Sequence, residues 1–109
     1  MATLKEHEQE LIKNLTTDGW RARPHQIKWP KELYCVKAKR RVYVLLNRIH
    51  IYILIKNCNH EDLEKIVELI KDKFRTYHSI WIVADSFTEK VQEFAHNTQL
   101  FGLIKIDVD

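Results

Sequence analysis

The spacing of apolar residues changes several times along this chain, and each change marks a new element. Leu4, Leu11, Ile12 and Leu15 fall on one stripe at helical spacing, which predicts an amphipathic helix over residues 4–16. Thr3 is placed to cap it, Glu6 three residues on completes a capping box, and Asp18-Gly19 ends it. Glu8 lies on the apolar stripe, so its stem should pack while its carboxylate reaches toward water or neighbouring strands. Trp20 to Arg23 alternate and read as a short first strand. Pro24 and Pro30 then bracket a turn-rich connection, which belongs at the periphery because proline cannot join the ladder of a central strand. Leu33 to Val36 read as a second short strand, and Lys37-Ala38-Lys39-Arg40 as a basic turn after it.

Residues 40–56, RRVYVLLNRIHIYILIK, are the most apolar and β-branched stretch, and the rest of the chain is expected to flank and cover them. They read as two central strands separated by a polar break at Asn47-Arg48. In residues 41–46, Val42, Val44 and Leu46 alternate with Tyr43 and Leu45. In residues 49–56, Ile49, Ile51, Ile53 and Ile55 line one face and demand a helix layer over it. His50, Tyr52, Leu54 and Lys56 line the other face, a mixed surface able to carry a site.

Asn59 with Asp62 signals the next helix, whose apolar stripe is Leu63, Ile66, Val67, Ile70 and Phe74. SIWIVA (79–84) is a buried parallel strand by its short apolar run, with Asp85 at its end. Ser86 and Glu89 suggest a capping box for a helix to about Asn97, and residues 102–108 a last strand. The order is αβββαβαβ. It specifies an α/β class, with one mixed sheet flanked by helices in a single domain over residues 1–109.

Composition excludes several classes. Apolar residues make up 45% and charged residues 30%, as in ordinary globular chains, and no apolar run reaches the roughly 20 residues of a membrane span. The opening MATLKEHEQE lacks the apolar core of a signal peptide, so a cytoplasmic setting is expected, with Cys35 and Cys58 as free thiols. Gly19 and Gly102 are the only glycines, too few for a phosphate-cradling loop. Cys58, His60, His78 and His96 lack the paired spacing of zinc ligands, so no metal site is read from them. His50 has no nucleophile partner in the pattern.

Charge changes the picture most. The net charge is +3, yet residues 21–56 hold ten Lys or Arg against Glu32 alone, while the segments on either side are net acidic. Arg21, Arg23, Lys37, Lys39, Arg40, Arg41, Arg48 and Lys56, interleaved with Trp20, Trp29, Tyr34, Tyr43 and Tyr52, are candidate contacts to a polyanion, DNA above all. Nothing in the pattern points to base-specific reading, so contact through the phosphate backbone is expected.

Four stretches resemble the restriction-endonuclease-like fold of the PD-(D/E)xK nuclease superfamily, in particular its Mrr-type domain. ELIKNLTTDGWRAR (10–23) is similar to that family's first helix and its exit into strand one, and HIYILIKN (50–57) to the strand ending in (D/E/Q)xK. WIVADSFTEKVQEFA (81–95) and GLIKID (102–107) are similar to its strand-loop-helix and closing strand. The resemblance implies a divalent metal held by an acid two positions before a lysine. Here Lys56 stands at the lysine, but Leu54 stands where the acid belongs. A leucine offers no oxygen to a hard cation.

The expected function is therefore nucleic-acid binding on a degenerate, catalytically inactive nuclease fold, without a cofactor. One alternative is a self-associating scaffold, pairing as a homodimer through the hairpin or an edge strand. Another is a Mg²⁺-dependent nuclease with an atypical set, in which Lys56 is joined by Glu8, Glu32 and Asp85.

Overall fold

The first stripe does form a helix, α1 (Leu4–Thr17), with the expected reciprocal cap between Thr3 and Glu6. Gly19, at φ 91°, then turns the chain in the left-handed region that an L side chain resists. The structure is a computed structural model describing residues 2–109. Five strands make the main sheet: β1 (Arg21–His25), β2 (Leu33–Tyr43), β3 (Leu46–Ile55), β5 (Ser79–Ala84) and β7 (Phe101–Lys105), side by side in that order. β1, β2 and β3 are antiparallel, while β3, β5 and β7 are parallel, so the sheet is mixed as the element order requires. Pro24 sits in the edge strand β1, where a missing N–H is tolerated.

Past β3 and β5 the chain repeats one device. A single residue (Lys56 or Asp85) leads into a two-residue strand, β4 (Asn57–Cys58) or β6 (Ser86–Phe87), and these two pair in parallel. Each then enters a helix, α2 (His60–Lys73) or α3 (Glu89–Asn97). Asn59 and Asp62 cap α2 reciprocally as expected. The start of α3 differs from expectation. Ser86 is spent in β6, and Thr88 is the N-cap, without a side-chain cap bond.

The isoleucine face of β3 is covered as predicted. Ile51, Ile53 and Ile55 pack with Ile66 and Ile70 of α2 and Val91 of α3. The opposite face is not open. Tyr52 and Leu54 are buried with Leu4, Val36, Ala38 and Val83, under the Leu11, Ile12 and Leu15 stripe of α1. Cys35 and Cys58 are free and buried, and burial pushes each thiol up to about 12, so both behave as small apolar groups rather than nucleophiles.

Two boundaries are corrected. Lys37-Ala38-Lys39-Arg40 is not a turn but the middle of β2, and Asn47-Arg48 is not a break but part of β3. The reversal falls at Val44-Leu45, with Tyr43 opposite Leu46 and a register shift between Arg41 and Tyr43. Residues 41–46 are therefore a projecting hairpin end and not a central strand.

Gly102 faces Trp81 across the β5–β7 pair, and a Cβ there would overlap the six-membered ring of Trp81. Trp81 stacks on Tyr52 at 6.5 Å and cannot give way freely. Gly102→Ala should therefore lower stability by about 1–3 kcal/mol through overpacking. A denaturation midpoint equal to that of the parent would show the Trp81 contact is not close.

Candidate nucleic-acid interface

Strand alternation sorts the basic third of the chain onto two faces. Register pairs Arg21 with Lys39 and Arg23 with Lys37, and these cations share the sheet face of Cys35 and Ile51. β1 and β2 extend beyond the cover of α2 there, so the four form a grid lining one concavity with His25. The Lys37 ammonium stands 5.8 Å over the Phe74 ring at the end of α2. On the other face Arg40 lies opposite Arg48, and its guanidinium stands 5.6 Å over the Trp20 ring, which itself leans on His50 at 4.6 Å. Arg40 is thereby aimed by an aromatic prop. Arg41 borders the concavities on both sides of the ribbon.

Among the described residues, none of Arg21, Arg23, Lys37, Lys39, Arg40, Arg41 and Arg48 is in a salt bridge. Acids are used elsewhere, with Asp62 holding Lys31 at 3.4 Å and Glu64 holding His60 at 3.0 Å. Residues 33–56 contain no Asp or Glu at all. The cations form an uncompensated positive field at one end of the sheet.

Two histidines feel this field. Burial holds His25 below the ordinary imidazole range, and Lys73, Lys37 and Arg23 add to it. Burial does the same to His50, helped by Arg48 and His78. As pH falls, the unfolded chain takes up these protons first. The stability that the neutral rings contribute is therefore complete above the ordinary value of 6.5 and is lost as pH falls below it toward the folded-state values. Chemical denaturation should give a lower midpoint at pH 5.5 than at pH 7.5, and the double variant His25→Gln/His50→Gln should flatten that difference. An equal drop in the variant would assign the acid sensitivity to other groups.

The nuclease-type residues lie at the far end of β3. Lys56 is separated by a run of strand about 17 Å long from Ile51, which pairs with Lys37, and about 23 Å long from Ile49, which pairs with Lys39, so it does not join the basic cluster. Glu8 comes in from α1 close to Tyr34, burial raising its carboxyl above the ordinary range. The Tyr34 hydroxyl donates to Glu32 Oε2 at 2.6 Å, a bond that with burial pushes the phenol up to about 12. Asp85 stands one strand over. Its backbone N–H donates to the Lys56 carbonyl at 2.9 Å, and its carboxylate accepts from the Val108 N–H at 3.4 Å.

Glu8, Glu32, Lys56 and Asp85 are thus drawn toward the same end of the sheet. Yet among the described residues no three of His, Cys, Asp or Glu come close enough together to hold a metal ion. Leu54, at the position of the expected acid, is fully buried. These residues do not fit the oxygen-ligand set of a hard divalent cation.

Of the hairpin end, Val42, Val44, Leu45 and Leu46 were not among the candidate residues, and Tyr43 was named only as an aromatic interleaved with the cations. These five residues are 43–95% exposed, Leu45 most of all. The apolar run resembled a core strand, and only the cations that bracket it signalled a surface position.

A solved structure of EndoMS in its apo form, a nuclease, is similar to this chain with a TM-score of 0.60 at 14% identity. The match covers 95% of this chain and 46% of that one, so this chain spans about half the length of that protein. The likeness shows a nuclease-like fold: a mixed five-stranded sheet flanked by helices. No protein-family model matches the chain, and no curated protein matches it. No helix among the described residues is long and apolar enough to cross a membrane.

Proposed function

We propose that this protein binds nucleic acid, DNA in particular, through phosphate contacts on a nuclease-like fold whose catalytic centre has been lost. The observation that carries this is the grid of Arg21, Arg23, Lys37 and Lys39, solvent-facing, without acidic partners, and joined at the ribbon by Arg40, Arg41 and Arg48. Cations at strand spacing along one face suit the repeating charge of a backbone and carry no pattern for reading bases. Likeness to a nuclease supports the same partner class. The PD-(D/E)xK resemblance of residues 50–57, Mrr-type in its detail, belongs to this reading. Lys56 is retained at the strand end, but Leu54 replaces its acid and is sealed beneath α1.

Loss of catalysis is tested by incubating the protein with supercoiled plasmid and Mg²⁺ or Mn²⁺, beside Lys56→Ala. The plasmid should remain supercoiled with both. Relaxed or linear product that disappears in Lys56→Ala would reinstate a metal-dependent nuclease built on Glu8, Glu32, Asp85 and Lys56.

A further inference from the structure

We propose that the β2–β3 tip is a wedge for duplex nucleic acid whose base stack is already interrupted, at a nick or a branch. Val44 and Leu45 enter the opened step, and Arg40, Arg41 and Arg48 hold the phosphates beside it. The inference rests on the phosphate-binding reading above and adds the kind of site that is preferred.

β1 pairs with β2 only as far as Lys39, and β5 pairs with β3 only from His50 onward. Beyond Lys39 on β2, and beyond Ile49 on β3, whose backbone His78 still bonds, the hairpin is a bare two-stranded ribbon carrying its apolar end about 10 to 14 Å from the sheet body. An apolar patch at such a tip stabilises nothing in the fold, and exposed patches of this kind mark interaction sites. Turn chemistry does not account for the residues either. Two-residue hairpin loops favour Asn-Gly or Asp-Gly with positive φ, whereas this loop is Val44-Leu45, and Gly19 alone among the described residues has a positive φ. The residue choice therefore reflects something outside the fold.

Charge selects the occupant. Arg40, Arg41 and Arg48 stand at the base of the tip with no acid in residues 33–56, so two tips meeting about a twofold axis would bring like charges together. A nucleic acid meets both features at once, its phosphates facing the cations and its base faces the apolar end. Tyr43, 71% exposed beside the loop, adds a ring on which an unstacked base can lie. A continuous stack must be opened at a cost of a few kcal/mol per step, and an interrupted one is already open, hence the preference.

The test compares a continuous duplex with the same duplex nicked at its centre, 2-aminopurine placed beside the nick. The parent protein should bind the nicked form on the order of 10-fold more tightly and brighten the 2-aminopurine as the base unstacks. Val44→Ser/Leu45→Ser, with unchanged circular dichroism and unfolding midpoint, should bind both duplexes alike, brighten nothing and keep the parent salt dependence.

A variant that retains the preference and the fluorescence change overturns the wedge. So does a parent that binds both duplexes equally, which leaves the phosphate reading intact. A parent that binds neither duplex removes both readings. If the substitution instead turns a dimer into a monomer in sedimentation, or abolishes binding to phosphatidylserine vesicles, while the nick preference is kept, the tip belongs to a second copy or to a lipid surface.

Discussion

Leu54→Glu, which restores the acid two positions before Lys56, should destabilise the fold by about 3–5 kcal/mol and should not produce Mg²⁺-dependent cleavage. Leu54 is fully buried among Leu4, Val36, Tyr52 and Val83, beneath α1. A glutamate there loses its water and gains no cation. Glu8, buried on the α1 face that covers this cluster, is itself held above the ordinary carboxylate range by burial, so a second carboxyl would find repulsion and desolvation together. An uncompensated buried charge costs several kcal/mol, at the upper end of what single substitutions do. Leu54→Met, similar in volume, should cost under about 1.5 kcal/mol and separates packing from charge. Urea denaturation of the pair decides the point. Equal midpoints for Leu54→Glu and the parent would mean that α1 opens readily over this face, and a metal site would again be within reach.

Replacing Arg21, Arg23, Lys37 and Lys39 together by alanine should lower affinity for a mixed-sequence duplex by on the order of 100-fold, with the dependence of log K on log salt shallower by about 3 to 4. The prediction follows from counting contacts, since each neutralised phosphate releases close to one condensed counterion. These side chains lie on β1 and β2 outside the main core, apart from the Lys37 ammonium over the Phe74 ring, so the fold should survive their loss. Lys56→Ala, at the other end of β3, should leave both quantities unchanged because it stands about 17 Å along the strand from the nearest grid position, Lys37, and about 23 Å from Lys39. If the two variants weaken binding equally, the polyanion instead runs along the strands to the nuclease-type end.

The legible part of the fold was the part with strong periodicity and ordinary capping. The α1 and α2 stripes, the caps at Thr3 and Asn59 and the four isoleucines of β3 each had one physical solution, and each took it. The hairpin was misplaced for an equally physical reason. Val44-Leu45 carries no turn residue, whereas Asn47-Arg48 is polar, so the break was put where the chain is in fact paired. Ser86 satisfies the local capping pattern for α3 but is taken by pairing with Asn57, which leaves Thr88 at the cap.

The candidate site was legible as a list of cations, not as a surface. Alternation alone could not show that Arg21 and Lys39 are neighbours across two strands, or that Arg40 faces the other way. Nor could it show that the Tyr52 and Leu54 face is closed by α1. Leu54 was suspect because it cannot ligate a metal, and burial supplies a separate reason why no acid stands there.

The most direct test of phosphate-mediated binding is the affinity of the unmodified protein for two duplexes of unrelated sequence, measured by anisotropy across a salt series. Equal affinities are expected, falling linearly in log–log form with a slope of roughly −4 to −6, from contacts by the grid and the ribbon arginines. No binding, a slope near zero, or a strong preference for one sequence that survives high salt would contradict it.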